Sequence, residues 1–168
     1  YDAGVQLLHL FSADVSTIAT ARLDSMVAHF EMIQTFESSD GYIKSVLSSG
    51  KVDYIQNSAL KAFVGSFDGQ VINATEENFP VKRLFEERFW PLIDGKINAA
   101  NRIRMIPNYS KLPKGSYESN YSWFFENREI EDVISNILAW RFDLMDDEKN
   151  LLDNINLMIE IIDNEIKK

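Results

Sequence analysis

Residues 128–167 read REIEDVISNILAWRFDLMDDEKNLLDNINLMIEIIDNEIK, and this stretch decides the fold class. Its seam positions recur at intervals that alternate four and three residues, as in a heptad repeat. The seam consists of Ile130, Ile134, Ile137, Arg141, Leu144, Glu148, Leu151, Ile155, Met158 and Ile162. Neither proline nor glycine interrupts the stretch, so the pattern predicts one amphipathic helix from Arg128 to Lys167.

The N-terminal segment has a similar periodicity. From Asp2 to Glu37 the apolar residues are spaced by threes and fours, which predicts one long helix. Two adjacent apolar residues, Ile18 and Ala19, indicate a stutter in its seam.

The middle of the chain predicts a short helix and a further long one. The short helix spans Tyr42–Ser48 and is stopped by Gly50, because glycine favours the left-handed conformation after a helix end. Asn57 or Ser58 caps the next helix. That helix is expected to bend or break near Pro80 and to end near Ile97, since an interior proline removes a backbone hydrogen bond.

Helix length determines the expected architecture. Helices of about 36 and 40 residues span about 54 and 60 Å at 1.5 Å per residue, whereas a compact chain of 168 residues has a diameter near ~40 Å. We therefore predict a single all-α domain over residues 1–168. It is an elongated antiparallel bundle with three long helices, one short helix and a basic loop near one end.

The C-terminal helix has two unusual features. Arg141 and Glu148 place charges in its seam, and a buried charge needs a partner; acidic candidates for Arg141 are Asp14, Asp24 and Glu77. The alternative is that both positions lie at the edge of the seam.

The C-terminal helix is also apolar away from the seam, which favours a central position in the bundle or a homodimer contact. These apolar residues are Leu138, Trp140, Phe142, Leu157 and Ile161.

Composition excludes several classes of protein. The chain has no cysteine, which excludes thiol nucleophiles, disulfide scaffolds, iron–sulfur clusters and cysteine-based zinc sites. Its formal net charge is −9, which argues against general nucleic-acid binding. Gln6 and Met26 stand three residues before His9 and His29, where a di-iron helix bundle needs glutamate. Both histidines are interpreted as half-buried or surface residues.

No catalytic or cofactor signature emerges. The nearest approach to a nucleophile elbow, Gly65-Ser66-Phe67-Asp68-Gly69, has Phe67 where serine should stand. Neither a P-loop nor a GxGxxG motif occurs. Asp143, Asp146 and Asp147 would share a divalent cation in principle, but their mid-helix position favours a solvated face. We predict a non-enzymatic protein without a cofactor or resident metal.

The segment from Gly95 to Tyr117 is the candidate site. It contains five basic residues and no acidic one, within a chain that is acidic overall. Such a cationic island predicts docking of a protein partner or an anionic ligand; the alternative is that its cations pair with acidic helices. The candidate partner-binding residues are Lys96, Arg102, Arg104, Tyr109, Lys111 and Lys114.

One stretch resembles a known family. Residues 42–60, YIKSVLSSGKVDYIQNSAL, share a pattern with an uncharacterised family of bacterial envelope proteins. The pieces FWPLI at 89–93, SNYS at 119–122 and NREIEDVI at 127–134 are similar to later parts of that family. The resemblance brings no catalytic residues. It implies a helical periplasmic or other extracytoplasmic domain of unknown role, with a membrane tether upstream of Tyr1.

Two functions follow as expectations. The first is an interaction or scaffolding domain in the bacterial envelope, favoured by sustained helical seams without a catalytic constellation. The second is a ligand-sensing domain of a transmembrane receptor, because helical bundles place small-molecule pockets between helices.

Overall fold

The computed structural model describes residues 1–33 and 38–167, and every regular element in them is a helix. The predicted all-α class is therefore confirmed. The helices are α1 (Asp2–Leu10), α2 (Thr20–Phe30), α3 (Gly41–Ser48), α4 (Ser58–Asn73), α5 (Asn78–Leu84), α6 (Trp90–Ile93), α7 (Ala99–Ile103), α8 (Tyr121–Glu126) and α9 (Arg128–Ile166). Short 3-10 turns lie at Val15–Thr17, Lys51–Tyr54 and Pro107–Tyr109, and a π-helical turn, Phe85–Phe89, joins α5 to α6.

The prediction of one helix from Asp2 to Glu37 is wrong. The chain leaves the helix after Leu10 and re-enters it at Thr20. Asp14 causes the interruption in part, because its carboxylate accepts a hydrogen bond from the Ser16 N–H at 2.9 Å. Short polar side chains of this kind satisfy backbone groups outside a helix. The predicted stutter at Ile18–Ala19 is a break with extended backbone, and residues 34–37 lie outside the described residues.

The second long helix is also interrupted, as the sequence predicted. α4 ends at Asn73, and α5 begins at Asn78. Pro80 itself lies in the first turn of α5, where a missing N–H leaves no intrahelical bond unmade. The helical path ends at Ile93 rather than near Ile97, because Asp94 is extended and Gly95 has a φ of 70°.

Three local predictions are confirmed. Gly50 adopts the left-handed conformation after α3, with a φ of 71°. Asn57 caps α4, and its side-chain oxygen accepts from the N–H groups of Ala59 and Leu60. The C-terminal helix runs unbroken from Arg128 to Ile166, 39 residues, as its heptad-like seam predicted.

The described residues group into two compact units. Residues 1–33 and 79–142 form the first unit, and residues 38–78 and 143–167 belong to the second. α9 contributes residues to both. The single domain expected over residues 1–168 stays a prediction.

The first unit is organised by an aromatic core. The Phe30 ring lies 5.2 Å from that of Phe85 and 5.3 Å from that of Phe89, between ring centroids. Phe124 of α8 packs edge-on against Phe89 at 6.4 Å. All four rings are fully buried. Because such side chains bury ~150–250 Å² each, this cluster supplies much of the hydrophobic stabilisation of the unit. α9 completes the core with Ile130, Ile134 and Ile137.

Arg141 belongs to this core. It is 8% exposed, and its guanidinium donates to the Met32 carbonyl at 3.0 Å. The guanidinium carbon lies 5.2 and 5.1 Å from the ring centroids of Phe30 and Phe85, so aromatic faces and a carbonyl compensate the buried charge. Burial lowers the pKa of Arg141. The expectation of an acidic partner is thus wrong for Asp14 and Asp24 of the same unit, whose carboxylates accept from Ser16 and from Ser119 and Tyr121 instead.

The second seam charge behaves differently. Glu148 is exposed, which fits the alternative that this position lies at the edge of the seam. Off the seam, Leu138 is buried at 7% exposure, whereas Trp140, Phe142 and Leu157 are exposed.

The second unit has a small core. Phe67 and Ala74 of α4 pack with Leu151 of α9, supported by the half-buried Ile43, Phe63, Val71 and Ile155. Polar side chains join the two helices along their length. Asn154 donates to Gln70 at 3.0 Å, and Asn73 donates to Asp147 at 3.1 Å.

Gly4 in α1 provides a test of packing in the first unit. A Cβ there would lie 2.7 Å from Phe30 Cδ2 and 2.8 Å from Leu138 Cδ2, whereas a Cβ at Gly65 of α4 would meet open space. We expect Gly4→Ala to lower the free energy of unfolding by about 1–2 kcal/mol through overpacking. The control Gly65→Ala should raise it by about 0.5–1 kcal/mol through helix propensity. Urea unfolding measures both, and equal gains would contradict the close packing at Gly4.

Candidate functional site

The cationic segment, residues 95–117, is held in place by two asparagines. Asn98 caps α7 through its side-chain oxygen, and its amide donates to the Tyr117 carbonyl at 2.6 Å. Asn101 donates to the same carbonyl at 3.2 Å and accepts from the Gly115 N–H at 2.9 Å. The second half of the cationic segment therefore folds back against α7, although the sequence of the segment has no sustained periodicity.

Gly115 is required at this fold-back. A Cβ at residue 115 would overlap the amide of Asn98. The absence of a side chain thus lets the backbone approach α7 closely.

A buried carboxylate anchors the end of the segment. Asp24 of α2 is 3% exposed, and its Oδ1 accepts from Ser119 Oγ at 2.9 Å and from Tyr121 Oη at 2.7 Å. Burial and the adjacent Asp24 carboxylate hold the pKa of Tyr121 well above its usual range. The phenol therefore stays protonated and donates to Asp24 at physiological pH.

Arg102 forms a second buried polar contact. Its guanidinium is ion-paired with Glu31, and both side chains are almost fully enclosed, at 9% and 12% exposure. Arg102 Nε and Glu31 Oε1 are buried without a hydrogen-bond partner among the described residues. Desolvation raises the pKa of Glu31, against the opposing effect of Arg102. This pair agrees with the alternative for one cation of the segment, because Arg102 is paired with an acidic residue at the C-terminal end of α2.

The other predicted site residues are more accessible. Lys96 is exposed, with Nζ 5.6 Å from the ring centroid of Trp123. Arg104 is half-buried, Lys111 and Lys114 are exposed, and Tyr109 is 51% exposed. Five of the six candidates thus offer surface to a partner, and Arg102 supports the segment from inside.

A cavity of about 400 Å³ lies beside the segment, within the usual size range of ligand pockets. Arg104 and Lys114 bring cations to it from the segment, and Asp24 and Glu118 bring carboxylates. Both hydrogen bonds that Asp24 accepts from the described residues use Oδ1, so within this part of the chain Oδ2 keeps its acceptor capacity. The remaining lining residues are Thr20, Ala21, Asn101, Met105 and Ser110.

Sequence reasoning missed most of the polar framework. The sequence offers Asp24 only as a candidate partner for Arg141 and Ser119 and Tyr121 only as part of the SNYS motif, and it gives no sign of a role for Glu31. The contacts of Asp24 join residues 95 and 97 positions apart, so no local pattern records them. The asparagines at 98 and 101, three residues apart beside a glycine-containing loop, were the available signal.

Both histidines are exposed, as the sequence indicated, and His29 Nδ1 lies 2.7 Å from the Ser25 carbonyl oxygen. Residues 1–33 and 38–167 hold no group of three His, Cys, Asp or Glu side chains placed to bind a metal ion. Among the described helices, none combines the length and apolarity of a transmembrane span.

The chain matches no protein-family model, no curated protein and no solved structure.

The Glu31–Arg102 pair provides a test of the buried framework. Glu31→Ala leaves a buried cation without its partner, and we expect a loss of about 3–5 kcal/mol in unfolding free energy. The double variant Glu31→Leu/Arg102→Met removes both charges and should recover most of that loss. Urea unfolding measures each.

The matched control is an exposed ion pair. Glu129→Ala removes a partner that lies 3.1 Å from Arg88 at the surface, which should cost less than about 1 kcal/mol. If Glu31→Ala costs no more than this control, the pair is not an important support.

Proposed function

We propose that this chain is a non-enzymatic interaction or scaffolding domain that docks an acidic protein partner through residues 95–117. The exposed cations of the segment carry the proposal. Lys111 and Lys114 are exposed, Arg104 is half-buried, and Tyr109 presents an aromatic ring beside them. A basic surface on an acidic chain attracts an anionic partner selectively, because the rest of the surface repels it.

The order of the segment supports this role. Asn98 and Asn101 hold Gly115 and Tyr117 against α7 through hydrogen bonds of 2.6–3.2 Å. A surface that is ordered before binding loses less conformational entropy when the partner arrives. The cations therefore form a prearranged docking surface rather than a flexible basic tail.

The proposed setting is the bacterial envelope. The motifs at 42–60, 89–93, 119–122 and 127–134 support an extracytoplasmic domain, either periplasmic or otherwise outside the cytoplasm, that is tethered upstream of Tyr1. The proposed architecture in that setting is an elongated antiparallel bundle. The continuous α9 supports it, because 39 residues extend about 58 Å at 1.5 Å per residue.

Neutralising three cations of the segment, the exposed Lys111 and Lys114 and the half-buried Arg104, tests docking. The triple variant Arg104→Gln/Lys111→Gln/Lys114→Gln should weaken binding of a fluorescent polyglutamate peptide by about tenfold, as losing about 1.4 kcal/mol implies. Native binding should also fall with added salt, because exposed charges are screened. Fluorescence anisotropy measures both effects.

The control removes the same charge elsewhere. Lys51→Gln/Lys82→Gln/Arg83→Gln changes three exposed cations outside the segment. It should leave peptide binding within about twofold of native, since no docking contact is lost. Equal weakening by both triple variants would mean that net charge alone drives binding.

A second candidate, a ligand-sensing domain of a transmembrane receptor, is favoured by the cavity. Its walls carry opposite charges, with Arg104 and Lys114 facing the same space as Asp24 and Glu118. Such a lining suits a small zwitterion, whose carboxylate would meet the cations and whose ammonium would meet Asp24.

Filling the cavity separates sensing from docking. Free amino acids should raise the melting temperature of the native chain, since a ligand that binds only the folded state stabilises it. Ala21→Leu places a larger side chain in the lining and should abolish this shift. Arg22→Leu, next to it but outside the lining, should retain it. Absence of a shift with every amino acid would exclude this second candidate for that class of ligand.

A further inference from the structure

The C-terminal half of α9 carries an unpaired apolar stripe. Four large apolar side chains recur at intervals of seven residues along it, so they share one face of the helix. They are Met145, Leu152, Ile159 and Ile166, with exposures of 49, 55, 53 and 78%. This stripe, residues 145–166, is about 32 Å long, and contiguous exposed apolar surface of this kind marks an interaction site.

The stripe forms a heptad seam of its own. Ile155 and Ile162 fall between its members, and from Leu152 to Ile166 the combined positions are spaced by three and four residues in alternation. Ile155 already contacts the core of the second unit, whereas Ile162 is 37% exposed. α4 therefore covers one side of α9, and a second heptad face beside it stays open. A helix with two adjacent seams is built to contact two other helices.

We propose that this stripe pairs antiparallel with the same stripe of a second copy of the chain. The charged residues beside the stripe are the reason for proposing a second copy as the partner. Lys149 and Asp163 are exposed and lie seven residues before and after Asn156. An antiparallel pair centred near Asn156 brings Lys149 of each copy opposite Asp163 of the other, and it forms this contact twice. A parallel pair in register would instead leave Lys149 and Asp163 about 21 Å apart along the helix axis.

The apolar residues agree with this register. With the two-fold axis near Asn156, Leu152 of one copy meets Ile162 of the other, and Ile155 meets Ile159. Glu148 then lies near Ile166 and Lys167 of the second copy, where the lysine compensates its charge. One register thus satisfies the apolar layers and the flanking charges, which is the self-complementarity that a two-fold contact requires.

The flanks argue against a lipid surface as the occupant. Asp146, Asp153 and Glu160 each follow a member of the stripe by one residue and are exposed. Helices that lie on anionic membranes carry lysine and arginine beside the apolar face. This acidic flank points into solvent in the antiparallel pair and would be repelled by anionic headgroups.

Crosslinking tests the two-fold axis directly. Because the native chain has no cysteine, Asn156→Cys introduces a single reactive thiol. We expect a short bis-maleimide to convert this variant to a covalent dimer in high yield. Leu157→Cys is the matched control: residue 157 is exposed but turned about 100° away around the helix, and its yield should be several-fold lower. Equal yields would overturn the proposed axis.

Charge exchange tests the register. Lys149→Glu and Asp163→Lys should each weaken the dimer about tenfold in Kd, because each replaces two attractive contacts by two repulsive ones. The double variant Lys149→Glu/Asp163→Lys restores opposite charges and should return the Kd to near the native value. Sedimentation equilibrium measures these constants, and failure of the double variant to recover would overturn the antiparallel register.

Removing the apolar contact tests the stripe itself. Leu152→Ser/Ile159→Ser should give a monomer with native helicity by circular dichroism, whereas Leu157→Ser should stay dimeric. Light scattering of the native chain at two protein concentrations should show a mass that rises toward the dimer. A native chain that is monomeric at both concentrations would overturn the proposal and leave the stripe to another occupant. Docking at residues 95–117 is unaffected by either result.

Discussion

The buried carboxylate of Asp24 is the interaction on which the candidate site depends. It lies at 3% exposure on α2 and is held by hydroxyl donors from Ser119 and Tyr121. A buried carboxyl group needs hydrogen-bond donors, and Asp24 Oδ1 meets two of them where the cationic segment ends, so α2 must pack against that end. That constraint places the segment and its cavity beside α2 and orders a stretch that has little core of its own.

Buried polar contacts elsewhere in the first unit follow the same rule. Glu31 neutralises Arg102, and Arg141 is compensated by the Met32 carbonyl and two phenylalanine rings. These groups contribute little net stability, because desolvation offsets much of their attraction. They do restrict which arrangement of helices is acceptable, since any other arrangement leaves a charge without compensation. The aromatic core supplies the stabilisation, and the charges select the arrangement.

Sequence patterns predicted the structure correctly where interactions between residues close in the chain determine it. α9, the cap at Asn57 and the left-handed Gly50 all followed from periodicity or single-residue conformational preference. The prediction of one long N-terminal helix was wrong because the side chains of Ser12 and Asp14 form hydrogen bonds with the backbone that compete with a helix. The spacing of apolar residues contains no information about such hydrogen bonds. In the candidate site, the composition identified the cationic segment but not that Arg102 would turn inward.

The sequence by itself determined the all-helical class, the length of α9, the negative net charge and the position of the cationic segment. These properties depend on spacing and composition over a few turns of chain. Only the tertiary structure decided which charges are buried, which apolar face of α9 stays open, and that Asp24 faces Ser119 and Tyr121. The physical reason is that burial depends on contacts between residues far apart in the chain, and local periodicity carries no information about them.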